Sequence, residues 1–140
     1  MPVLNFKPQF VPYILDGTKL HTIRAKRKRP IKPGDRLFLY TGLRQKGAKL
    51  LMETSCSSVE NIDIFILSGD MKTGHLVIRV QNRPLDADEQ ARLAWLDGFR
   101  PPRSTMDNPG NSMDLMMQFW NGRLPFNGQI IYWWYAPNDK

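Results

Sequence analysis

Apolar positions recur along this chain with two different periods, and the period changes near residue 84. Val3 to Phe6 reads as a short strand. Pro8 suits the first turn of a helix, where its missing N–H costs nothing. Phe10, Val11, Ile14 and Leu15 then follow at helical spacing, and Gly17 ends the segment. Pro12 lies inside it, so the helix is short. Leu20 to Ala25 is the next strand. Asp35 to Thr41 is another, with Leu37 and Leu39 alternating against Arg36 and Phe38. Gly42 and Gly47 mark a turn around Leu43–Lys46. Leu50 to Val59 is β-like but polar. Ile62 to Leu67 is strongly β-forming and stops at Ser68-Gly69-Asp70. Leu76 to Val80, reached from a second turn at Gly74, is its antiparallel partner.

Beyond Pro84 the period is that of a helix. Asp86 or Asp88 caps a segment whose apolar members are Ala91, Leu93, Ala94 and Trp95, and Asp97-Gly98-Phe99 ends it. Arg100 to Asn111 is a loop by its Pro, Asn and Gly content. A second helix starts at Ser112, with Met113, Met116, Met117 and Trp120 at i, i+3, i+4 and i+7, a core stripe. Pro125-Phe126-Asn127-Gly128 is a turn, and Gln129 to Tyr135 is a closing strand. Trp133 and Trp134 are adjacent, so in a strand they face opposite sides. One fills the interior and the other offers a stacking surface; the sequence leaves open which is which. The expected fold is α+β: a small mixed or antiparallel β-barrel of roughly six strands with two or three flanking short helices, in a single domain over residues 1–140.

Charge changes the picture. The formal net charge is +7, and residues 1–50 carry twelve Lys/Arg against two Asp/Glu, whereas residues 51–140 carry eight against eleven. A basic half opposed to a mildly acidic one is the footprint of a protein that meets an anion on one face, nucleic acid first among the candidates. A membrane surface fits less well, because the chain has no basic amphipathic helix or lipidation signal. Cys56 is the only cysteine, and His21 and His75 are far apart, so neither a disulfide nor a metal site is expected, and no cofactor. The first residues lack the pattern of a signal peptide, and no apolar run reaches membrane-spanning length, which predicts a cytosolic protein.

Candidate chemistry concentrates between Leu15 and Tyr40. The Asp16-Gly17 and Pro33-Gly34-Asp35 turns bracket a segment with Lys19, His21, Thr22 and Arg24 in six positions, followed by the run Lys26, Arg27, Lys28, Arg29. The segment reads as the floor of a site, with the basic run as an electrostatic guide for phosphates. Strict alternation sets Lys19 and His21 on one face and Thr22 and Arg24 on the other. Lys19 and Thr22 therefore converge only if the chain bends after Gly17.

Several spaced motifs together resemble one family. Phe10-x-x-Tyr13-Ile14-Leu15-x-Gly17-x-Lys19-x-x-Thr22-Ile23-Arg24, then Lys32-Pro33-Gly34-Asp35-Arg36-Leu37, Ala94-x-x-Asp97-Gly98-Phe99 and Phe126-x-Gly128-x-x-Ile131-x-Trp133 resemble the ASCH domain. The Thr41-Gly42-x-Arg44 turn resembles its small bacterial and phage branch. The resemblance implies a PUA-like β-barrel and a role in RNA or nucleotide handling, with Arg44 among the binding residues. Some small ASCH proteins are amidohydrolases that remove the acetyl group from N4-acetylcytidine with a lysine, a threonine and a carboxylate. On matching positions these are Lys19, Thr22 and Asp97, with aspartate where that type has glutamate.

Amide hydrolysis needs an activated nucleophile, a proton donor for the leaving nitrogen and stabilisation of the oxyanion. A threonine hydroxyl needs an adjacent base, and a lysine becomes one only where burial or a neighbouring cation lowers its pKa. Arg24 and the basic run supply cations. A carboxylate at Asp97 favours the charged lysine, so it suits orienting Lys19 or a water, or accepting from the exocyclic nitrogen of a base. Two alternatives stand beside the hydrolase: a non-catalytic RNA-binding module, and a ribonuclease in which Lys19, His21 and Arg24 do the acid–base work.

Overall fold

In β1 (Val3–Phe6), Leu4 and Phe6 are buried while Val3 and Asn5 are exposed, the alternation of a strand with one face on a core. The computed structural model describes residues 2–67 and 75–137. A 3-10 turn, Pro8–Phe10, leads into α1 (Val11–Leu15), with Pro12 in its first turn, where it costs no hydrogen bond. Then come β2 (His21–Ala25), β3 (Arg36–Thr41), β4 (Lys49–Leu67), β5 (His75–Val80) and the two-residue β6 (Arg83–Pro84). Two helices, α2 (Ala87–Asp97) and α3 (Ser112–Trp120), precede β7 (Phe126–Trp133).

The seven strands form one mixed sheet in the order β1-β3-β4-β5-β6, with β7 on β4 and β2 on β7. β1 runs parallel to β3, whereas β4 is antiparallel to both β3 and β5. Among the described residues the pairings do not return from β6 to β1, so the sheet is not closed into the expected barrel. The class is α+β with short helices, as the periodicity predicts.

Two boundaries differ from expectation. The segments Leu50–Val59 and Ile62–Leu67 are one strand of 19 residues. Met52, Thr54 and Cys56 before the polar stretch and Ile62 and Ile64 after it are buried at even positions, whereas within the stretch Ser58 and Asn61 are exposed and the period lapses. The closing strand begins at Phe126 and ends at Trp133, which leaves Trp134 and Tyr135 beyond it. The turns expected at Ser68-Gly69-Asp70 and Gly74 lie outside the described residues.

The chain makes two compact units: residues 1–22, 27–59 and 131–140, and residues 23–26 and 60–130. In the first, Leu4, Phe6, Ile14, Leu37, Leu39 and Trp133 are buried. The Pro33-Gly34-Asp35 turn is tied to β4 on both sides, because Gly34 N–H donates to the Cys56 carbonyl and Cys56 N–H to that of Asp35, each at 2.8 Å. The Asp35 carboxylate also accepts from the Lys32 amide at 2.9 Å.

In the second unit, Ile62, Ile64, Ile78, Ala94, Met116 and Trp120 are buried. The Met/Trp stripe of α3 is thus core at Met116 and Trp120, as its spacing predicts. Asp86 caps α2 through a capping box, accepting from Glu89 N–H at 2.8 Å while the Glu89 carboxylate accepts from Asp86 N–H at 3.1 Å. Trp120 packs on Phe126 at 4.5 Å between ring centroids, and Phe99 on Phe119 at 5.6 Å. No helix among the described residues is long and apolar enough to cross a membrane.

Gly128 is required by close approach. A Cβ there would press into the Arg24 carbonyl oxygen and lie 2.5 Å from the Phe126 ring. The carbonyl is backbone and cannot swing aside. Gly128→Ala is expected to destabilise the fold by about 1–3 kcal/mol, read as a lower denaturation midpoint with an unchanged m-value. An unchanged midpoint would show that the backbone at Arg24 yields.

Candidate functional site

The Asp16-Gly17-Thr18 turn builds the bend that brings Lys19 inward. Asp16 Oδ1 accepts from the Thr18 amide at 2.9 Å and from its hydroxyl at 2.6 Å, an Asx turn. Gly17 has φ +83°, and a Cβ there would meet the Tyr135 ring at 2.9 Å. The Tyr135 hydroxyl donates to the Leu15 carbonyl at 3.0 Å. The Tyr13 carbonyl then accepts from two successive amides, Thr18 at 3.1 Å and Lys19 at 2.9 Å. The chain therefore folds back on α1 before β2 starts, and Lys19 stands outside the strand alternation.

Lys19 is only 2% exposed. Its Nζ lies 5.0 Å from the Phe10 ring centroid and 5.8 Å from that of Phe6, within cation–π range. Phe6 is itself edge-on to Trp133, at 5.8 Å and 72°. The Trp133 Nε1–H is buried and has no hydrogen-bond partner among the described residues. This first unit therefore holds a buried amine against an aromatic wall, and an indole donor with no hydrogen-bond partner among the described residues. An ammonium taken from water is costly unless well paired, so Lys19 is no ordinary solvated charge.

His21 and Thr22 are buried beside it in sequence, at 4% and 5% exposure, and His21 stacks at a tilt on Tyr132, 5.5 Å between centroids. Three consecutive buried residues, His21 to Ile23, replace the alternation expected of β2. Lys19, His21 and Thr22 belong to the first unit, whereas Arg24, Lys26 and Asp97 belong to the second. Arg24 is half-buried; Asp97 is the last residue of α2 and is buried. His75 is exposed at the start of β5. Among the described residues no three His, Cys, Asp or Glu side chains cluster as metal ligands would.

The basic run is split. Arg27 and Arg29 line a cleft of about 590 Å³ in the first unit, together with Lys32, Asp35 and Arg36. Lys28 is exposed but does not line the cleft, and Arg44 sits with φ +69° in the turn after β3, at the strand's opposite end from Arg36. Lys32 and Arg36 were not expected as binding residues. Their signal was the Pro-Gly-Asp turn between them, which returns the chain so that Lys32 and Arg36 line the same cleft.

Cys56 is 2% exposed, and its surroundings disfavour the thiolate. Burial, then the neighbouring Asp35 carboxylate, push its thiol above the ordinary value, against a smaller opposing effect of its contact with the Ser58 carbonyl at 3.4 Å. The thiolate is the reactive form. The folded protein is expected to resist alkylation by iodoacetamide at pH 7–8, with one equivalent incorporated on unfolding; rapid labelling of native protein would contradict this burial.

Comparison with known proteins finds no matching family model, no matching curated protein and no matching solved structure.

Proposed function

We propose that this chain binds nucleotide or RNA through its first unit and hydrolyses an N4-acyl cytidine-type amide at Lys19 and Thr22. The ASCH resemblance supplies the reaction class and carries with it a PUA-like barrel. The observation that bears most weight is the burial of Lys19, an amine enclosed by Phe6 and Phe10 on a turn whose hydrogen bonds all serve to bring it there. A lysine kept for solubility has no reason to be so enclosed, whereas amines used as bases sit in apolar surroundings.

The reaction consumes water. The amide C–N bond breaks, the acyl carbon gains hydroxyl, and the exocyclic nitrogen gains a proton, giving carboxylate and the free base. In this reading Lys19 accepts the Thr22 hydroxyl proton as Oγ1 bonds the acyl carbon, and that proton passes to the exocyclic nitrogen as the C–N bond breaks. Water then cleaves the Thr22 ester, restoring its hydroxyl and releasing the acid, which ionises to carboxylate. Asp97 is the carboxylate implied by the resemblance. The surrounding rings suit a planar base, and the indole N–H of Trp133 is a donor for a carbonyl oxygen. His21 stands as the acid of the ribonuclease alternative, and the basic cleft as the main support for a purely binding role.

Wild-type protein is expected to release acetate from N4-acetylcytidine. Lys19→Met, which keeps the apolar stem volume, and Thr22→Val are expected to lower kcat/KM by about 10²–10⁴ while circular dichroism shows cooperative unfolding. Asp97→Asn tests the third assignment by the same assay. No turnover by wild type at high enzyme concentration overturns the hydrolase, and equal turnover in both first-unit variants removes Lys19 and Thr22 from the reaction.

A further inference from the structure

The whole formal charge of +7 sits on the first unit, which carries eleven Lys/Arg against four Asp/Glu, whereas the second carries nine of each. Within the first unit the cleft gathers Arg27, Arg29, Lys32 and Arg36 against one carboxylate, and that carboxylate, Asp35, is engaged by the Lys32 amide. Arg36 pairs with Glu53 at 3.0 Å, but both side chains are about half exposed and the pair is weak. Arg36 is therefore free to turn to a stronger anion.

Arg36 also lines a second cavity of about 280 Å³, with Met52 and Glu53 of β4 and with Ala136 and Pro137. The surface thus runs on from the cleft, across Arg36, to the segment that follows β7. Trp134 lies in that segment. Its amide donates to the Ser55 carbonyl at 3.3 Å, and its own carbonyl accepts from the Thr54 hydroxyl at 2.5 Å. Ser55 is the register partner of Arg36. Arg36 and Trp134 are therefore two strand spacings apart, about 10 Å between backbones. Trp133 is buried and Trp134 is 66% exposed, so Trp134 is the outward member of the pair, and among the described residues no hydrogen bond or ring contact occupies its indole.

We infer that this face is a binding track for single-stranded RNA, with phosphates in the cleft of Arg27, Arg29, Lys32 and Arg36 and a base stacked on Trp134. A cationic groove beside an exposed aromatic is how single strands are held without a defined sequence. Glu53, exposed between the two, accepts from an exocyclic amino group of a base, as a carboxylate does from cytosine N4. The same carboxylate, together with Asp35, disfavours a uniformly anionic membrane surface. A duplex keeps its bases stacked on one another and has none to give Trp134. The inference deepens the reading above by naming a polymer as the substrate class. It rests on that reading for the chemistry at Lys19, but not for the binding itself.

The test is fluorescence anisotropy of the full chain with a labelled 12-nucleotide single-stranded RNA rich in cytidine and free of acetyl groups. Failure of hydrolysis at Lys19 then leaves the result untouched. Wild type is expected to bind, with log K falling against log salt by about 0.7 per phosphate neutralised. Trp134→Ala is expected to weaken binding by about 5- to 150-fold without changing that slope. Arg29→Glu/Lys32→Glu is expected to weaken it at least tenfold and to flatten the slope. The control Arg92→Glu/Arg103→Glu, two exposed charges of the second unit, is expected to retain most of the affinity. All these side chains are exposed, so thermal melts should match wild type. Wild-type affinity in both Trp134→Ala and the cleft variant overturns the track, as does an equal loss in the control. Binding to anionic phosphatidylserine vesicles but not to RNA reassigns the face to a membrane. Equal binding of a duplex, insensitive to Trp134→Ala, reduces it to a charged surface alone.

Discussion

An amine held out of water sets the terms for the first unit. Lys19 lies against Phe6 and Phe10, at the end of a turn that closes twice on the Tyr13 carbonyl. Each feature of the turn acts toward the same placement. Asp16 fixes its first half, Gly17 supplies a backbone conformation that side chains resist, and the Tyr135 ring covers the glycine from the far end of the chain. Tyr135 reaches that position because Thr54 holds the neighbouring carbonyl of Trp134. A local turn is thus secured by residues more than a hundred positions away. Taking a lysine side chain out of water costs free energy that its contacts in the folded protein must offset.

Much of the fold could be read from periodicity, because burial follows period where one face of an element meets a core. β1, β3, β5, α2 and α3 begin or end within a residue or two of where the pattern sets them. The single long β4 was hidden by Ser57, Ser58, Glu60 and Asn61, which read as a break. They are polar because that part of the strand is less covered, while the even positions on either side stay inward. Closure of the sheet was not legible at all, since it depends on which strands meet and not on what each strand is.

The candidate site was legible in its members more than in its arrangement. Lys19, His21 and Thr22 stand out in sequence as polar residues where a strand core is expected, and all three are buried. Alternation assigned Lys19 and Thr22 to opposite faces, but alternation does not govern Lys19, which belongs to the turn. The aromatic wall of Phe6, Phe10 and Trp133 was invisible because apolar residues at inward positions look the same whether they pack on a leucine or on an amine. The two tryptophans show the limit plainly: adjacency fixed that they differ, and only the end of β7 at Trp133 decides which one faces out.

Register connects the inner and outer faces of the first unit. Along β4, Met52, Thr54 and Cys56 point inward, while Glu53 is exposed and Ser55 stands opposite the outward Arg36. A slip of one residue exchanges the two sets, burying Glu53 and exposing the core. The slip is resisted at both ends of the β3–β4 pairing. Gly34 and Asp35 bond on either side of Cys56, and an irregularity between Leu39 and Tyr40 fixes the count at the other end. The same Thr54 that faces inward anchors Trp134, so the stacking surface inherits its position from the core register. Changes that loosen the Pro33-Gly34-Asp35 turn therefore act on both faces at once, although that turn carries neither the amine nor the indole.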